Sequence, residues 1–203
     1  YHLLNDYNGR MSAAMSLGDQ INDILVLEPT TSVWMYNLYV GKRDDDQAKK
    51  IGHDFQQLVT RLEKAQVEYD LGSEAIFKDH GSVRDGRFVV GQRSYGTFVV
   101  PPLTENLESE TFALLKDFAA AGGRVIALGA PTLVDGAYSP EAEAFFASDQ
   151  VLRASACDDA LIDRYLRDKS QIDFQRVQGG DLYHHRRQFA DGQLLLLTNA
   201  SMD

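Results

Sequence analysis

The sequence predicts an α/β domain built on a parallel, doubly wound sheet, on three observations. Short all-apolar runs such as Ile-Leu-Val-Leu at 24–27 have the length of strands covered on both faces. They alternate with longer stretches of helical period, as at 46–65 and 105–121. Proline and glycine punctuate the joins, at Pro29, Pro101, Pro102, Gly122 and Gly123.

Taken in order, residues 3–17 read as a helix, with Leu4, Tyr7, Met11, Ala14 and Met15 near one face and Gly18 as its stop. The first strand is 24–27. Ile51, Phe55, Leu58, Val59 and Leu62 form the stripe of the helix at 46–65. A second strand and its exit loop start at Val67, and 77–80 reads as a short helical turn. Asp85-Gly86 signals a hairpin turn between short β-like runs. A strand at 97–100 stops at the two prolines. The helix at 105–121 carries Leu107, Phe112, Leu115 and Phe118. A strand at 124–128 follows, then helices at 140–147 and 158–169 and a strand at 172–177. Last comes an antiparallel hairpin that turns at Asp191-Gly192. The simplest arrangement is a flavodoxin-like strand order, 2-1-3-4-5, with the hairpin leading toward a β-sandwich.

With 203 residues the chain is long enough for one good-sized core. Its opening inside a helix and its ending just after a strand read as a piece cut from a longer chain. The expected division is 1–20 as the end of a preceding domain, 21–178 as the α/β domain, and 179–203 as the start of the next.

A formal net charge of −10 disfavours binding to nucleic acid and to anionic membranes. The apolar runs are far shorter than the ~20 residues that span a bilayer, so no membrane insertion is expected. The single cysteine, Cys157, excludes an internal disulfide framework and a cysteine-rich zinc site. It reads as a small buried or half-buried residue.

In a doubly wound sheet, ligands collect beyond the carboxyl ends of the strands. Four loops should converge there, at 29–34, 70–74, 101–104 and 129–132. They bring Thr30, Thr31, Ser32, Trp34, Tyr36 and Glu74 forward as candidate crevice or interdomain contacts. The hydroxyls of Thr30-Thr31-Ser32 raise the question of a phosphate cradle, but large apolar groups follow them, which suits packing against protein. There is no G-x-G-x-x-G after the first strand and no Walker loop. Ala130-Pro131 after the 124–128 strand offers no nucleophile. Arg43–Gln47 reads as helix capping rather than a calcium site. Glu28 and Glu74 are the acids nearest the crevice, and nothing makes them a catalytic pair. In Tyr-His-His-Arg-Arg at 183–187, alternation puts His184 and Arg186 on one face and Tyr183, His185 and Arg187 on the other. That strand reads either as a solvated edge or as a face meeting a neighbouring domain or an active-site rim. No catalytic residue, cofactor or metal ligand is assigned.

Several ordered blocks carry a family resemblance. The segment DYNGRMSAAMSLGDQINDILVLEPTTSVW resembles the junction where a catalytic barrel hands over to an α/β domain in large bacterial glycoside hydrolases, most closely the α-L-rhamnosidase-like ones. The block from Asp54 through Pro102, with its D-x-G-x-E element ending in Glu74, is similar to their next part. LLKDFAAAGGRVIALG and HHRRQFADGQLLLLTN complete the order. The resemblance implies a non-catalytic, amidotransferase-like middle domain. Its partners would be the barrel and β-sandwich of the same parent chain, with carbohydrate at the rim. It further implies a periplasmic or secreted bacterial protein. The rival readings are a free-standing flavin or nucleotide module and an oligomerisation domain.

Overall fold

The structure, a computed structural model, describes residues 1–36, 45–167 and 180–201. Along the chain it contains α1 (His2–Ser16), β1 (Asp19–Gln20), β2 (Ile24–Leu27), α2 (Thr30–Trp34), α3 (Asp45–Lys64), β3 (Asp70–Gly72) and α4 (Glu74–His80). A meander follows, β4 (Gly81–Arg84), β5 (Arg87–Val90) and β6 (Arg93–Tyr95), and then β7 (Thr97–Val100), β8 (Asn106–Leu107), α5 (Ser109–Ala120) and β9 (Arg124–Ala127). The rest is β10 (Leu133–Val134), β11 (Ala137–Tyr138), α6 (Pro140–Ala147), β12 (Val151–Arg153), α7 (Asp159–Leu161), a π-helical turn (Ile162–Leu166), β13 (Leu182–Phe189) and β14 (Gly192–Asn199).

The central sheet has five strands, all parallel, in the order β12-β9-β7-β2-β3. Numbered by their place in the chain, that is 5-4-3-1-2, the flavodoxin-like order read from its other edge. Alternation splits its side chains between two layers. Leu25, Leu27, Phe98, Val100, Val125 and Ala127 face a core shared with α4, α5, α6 and the meander. There Phe77, Phe88, Phe98 and Phe118 pack ring to ring at centroid separations of 5.0 to 5.9 Å. Ile24, Val26, Val99 and Ile126 face α3, α7 and the π turn through Leu58, Leu62, Leu161, Ile162 and Leu166.

Three sequence expectations shift. The fifth sheet strand is β12, which the periodicity did not single out; the strand expected at 172–177 lies outside the described residues. The helix expected from 105 begins only at Ser109, because Glu105 and Asn106 give their amides to the Ser32 hydroxyl and β8 pairs with β10. The helix expected over 158–169 opens into a π turn and stops at Leu166, with Arg167 extended. The wider turn buries both Ile162 and Leu166. The final hairpin is present, turning at Ala190–Asp191 with Gly192 already in β14. The Asp85-Gly86 turn also forms, with both residues in the left-handed region that glycine tolerates. The reading of Arg43–Gln47 falls largely outside the described residues; α3 begins at Asp45.

β13 is not an edge strand. It lies between β1 and β14 in a separate three-stranded antiparallel sheet. No helix among the described residues is long and apolar enough to cross a membrane.

Candidate functional site

The four loops at the carboxyl end of the sheet do converge, and they are sewn to one another. Ser32, fully buried, sits in α2 at the exit of β2. Its Oγ accepts from the amides of Glu105 (3.0 Å) and Asn106 (3.1 Å) and donates to the Asn106 carbonyl (3.3 Å). A serine hydroxyl has one proton and two lone pairs, so Ser32 is saturated within the protein. Thr31 Oγ1 donates to Glu74 Oε1 at 2.5 Å, and Glu74 Oε2 accepts from the amide of Glu108 at 2.7 Å. The Asn106 side-chain oxygen accepts from the Gly136 amide at 2.8 Å. Tyr36 donates its hydroxyl to Glu105, whose other oxygen accepts a hydrogen bond from the Gln47 amide at 3.2 Å. Gly129 lets the exit of β9 close on the loop after β7, since a Cβ there would lie 2.5 Å from the Pro101 carbonyl oxygen.

Glu74 is 3% exposed. Burial pushes its carboxyl above the usual carboxylate range, and the hydrogen bonds from Thr31 and the Glu108 amide offset this only in part. Both carboxylate oxygens are engaged, so Glu74 does not present itself to a sugar or a phosphate. Of the sequence candidates at this end, Thr31, Ser32 and Glu74 are brought together as a lock, and Thr30 lies beside them in α2. Trp34 is not part of it: it stands 63% exposed, next to exposed Met35.

The other two candidates meet elsewhere. His184 and Arg186 share a face of β13, and both reach Glu68, which lies just before β3. Arg186 forks the carboxylate, Nε to Oε1 at 2.8 Å and Nη2 to Oε2 at 2.5 Å, and His184 Nε2 lies 3.3 Å from Oε1. Burial would raise the Glu68 carboxyl, but the hydrogen bonds from His184 and Arg186 and the guanidinium charge outweigh it and hold it below the usual range. Lys64 pairs with Asp181 at 3.0 Å, and Gln66 donates to the Leu182 carbonyl at 2.9 Å. On the other face, Arg187 donates to the carbonyls of Leu17 and Gly18. The hairpin is thus bolted to the α/β body. Glu68 was the residue the sequence did not offer, because its partners lie more than a hundred positions away.

Cys157 is half-buried, and burial pushes its thiol up to about 11, away from nucleophilic use. Among the described residues no group of three or more His, Cys, Asp or Glu side chains could hold a metal ion. No protein-family model matches the sequence, and no curated protein is significantly similar to it.

Proposed function

We propose that this chain is an accessory, non-catalytic module of a polysaccharide-degrading glycoside hydrolase of the α-L-rhamnosidase-like kind, bracing the catalytic barrel beside it. The observation that carries the reading is the saturated lock at the carboxyl end of the sheet. In this fold class that end is where ligands sit. Here the hydroxyls of Thr31 and Ser32 and the buried Glu74 carboxylate are consumed holding loops together, which suits a brace better than an enzyme or a flavin module. The ordered sequence blocks give the brace its context.

The apolar surface supports docking on protein. No residue of α1 is buried, and Leu3, Leu4, Tyr7 and Leu17 are all well exposed. Trp34 projects beside the lock. Exposed apolar clusters of this kind belong under a neighbour.

The test uses purified chain. It should release no aryl alcohol from any aryl glycoside, and turnover would overturn the reading. Trp34 is the sole tryptophan, so it reports docking directly. Its emission should be that of a solvated indole in the isolated chain and should shift to the blue when a catalytic barrel module is added. An indole already shielded in the isolated chain would remove the docking face.

A further inference from the structure

The amino end of the sheet holds a different kind of cleft, of about 550 Å³. Its floor is the start of β2, β7 and β9, and one wall is the π turn. Four arginines line it, Arg124, Arg164, Arg167 and Arg186, against two carboxylates, Asp23 and Glu68. Both carboxylates are already paired, Asp23 with Arg87 and Glu68 with Arg186. Arg167 is paired with Asp163 at 3.0 Å. That leaves Arg124 and Arg164 with no carboxylate within 4.0 Å among the described residues. In a chain of net charge −10, a concave surface with surplus positive charge is out of character.

The two guanidiniums are held rather than loose. Both lie against the ring of Tyr165 in the π turn, Arg124 at 5.6 Å and Arg164 at 5.1 Å from its centroid. Arg124 also makes two long contacts, to Thr97 Oγ1 at 3.5 Å and to the Tyr165 carbonyl at 3.4 Å, so its donors are only weakly used. π-helical turns are rare and concentrate at functional sites. Asn22, which lines the cleft just before β2, leaves both its amide nitrogen and its amide oxygen without a hydrogen-bond partner among the described residues. Such groups in a native protein call for a partner.

We infer that this cleft is a binding site for a small solute bearing an oxyanion, a phosphate or a carboxylate, gripped by Arg124 and Arg164 beside Tyr165. Planar guanidinium forks match the two oxygens of either group. The site stands apart from the carboxyl-end lock and does not depend on the accessory role proposed above.

The experiment is calorimetric titration of the purified chain with inorganic phosphate and with glucuronate, against sodium chloride at matched ionic strength. Saturable binding of phosphate alone assigns a phosphate site, and saturable binding of glucuronate a carboxylate site. Arg164→Gln, on an exposed turn, and Arg124→Gln should each weaken the bound probe about tenfold. Arg153→Gln, an exposed arginine on β12 outside this cleft, should leave binding unchanged. Circular dichroism of each variant checks the fold; should Arg124→Gln not fold, Arg164→Gln decides alone. The inference is overturned if neither probe saturates, if sodium chloride reproduces the heat, or if Arg164→Gln binds as the parent chain does.

Discussion

The two ends of the parallel sheet contrast sharply. At the carboxyl end, where a doubly wound sheet usually receives its ligand, polar side chains face inward and satisfy one another: Ser32 with Glu105 and Asn106, Thr31 with Glu74, Glu74 with Glu108. At the amino end the hairpin is bolted on through Glu68 and Arg186, and an arginine-lined cleft stays open beside it. The lesson is that polar residue types at a strand exit are not enough to mark a site. What matters is whether their donors and lone pairs are still free once the loops have closed.

The largest expected effect breaks the amino-end bolt. Arg186→Ala leaves the Glu68 carboxylate without its guanidinium and should cost about 3 kcal/mol, read as a lower urea midpoint together with faster amide exchange in β13. A midpoint unchanged from the parent chain would mean the hairpin is not held by this pair. The same pair sets an acid limit. A carboxyl whose folded value is lowered contributes stability above its ordinary value of 4.5 and loses it as the pH falls through the lowered value. Hairpin protection should therefore fade in that acid window, and Arg186→Ala should flatten the dependence.

At the carboxyl end, Glu74→Ala should cost about 2 kcal/mol by stranding the Glu108 amide and leaving the Thr31 hydroxyl only its long contact to the Asn106 carbonyl at 3.3 Å. Glu74→Gln removes the buried charge; its amide oxygen can accept from the Glu108 amide and its NH2 can donate to Thr31 Oγ1, whose own proton then turns to the Asn106 carbonyl 3.3 Å away, so it should stay within about 1 kcal/mol of the parent at neutral pH. The sign of its pH dependence is opposite to that of Glu68. A raised carboxyl favours the folded state below its ordinary value and loses that advantage as pH rises to the raised value. Glu74→Gln should abolish this loss in thermal unfolding scans taken across mildly acidic pH. Equal damage from Gln and Ala would show that the charge itself is needed, as at a ligand site.

The smallest effect sharpens the contrast from outside. Trp34→Ala should change stability by less than about 0.5 kcal/mol, since the indole is mostly in solvent. A larger loss in chemical denaturation would place Trp34 within the lock.

Much of this was legible in the sequence. The apolar runs at 24–27 and 98–100 made two central strands legible, because both their faces are covered and no polar residue interrupts them. The hairpin turn at Asp85-Gly86 was legible from its backbone requirement. β12 was not, since it has three residues and only Val151 is fully buried. β8 hid inside a helical pattern, because Leu107 and Phe112 point to one core whether or not the chain between them has started to coil. At the site, the sequence brought forward the lock's side chains, Thr31, Ser32 and Glu74. It could not tell that they would saturate one another, because their partners are backbone amides at 105, 106 and 108. Arg124 and Arg164 gave no signal, since what sets them apart is having no carboxylate within 4.0 Å among the described residues.

The most direct measurement is amide hydrogen exchange at Glu105, Asn106 and Glu108. If Ser32 of α2 and Glu74 of α4 close the carboxyl end, these three amides exchange as slowly as those of β7, and Ser32→Ala releases the first two while sparing the third. Free exchange at all three in the parent chain, indifferent to Ser32→Ala, would contradict the lock and reopen this end of the sheet as a place for a ligand.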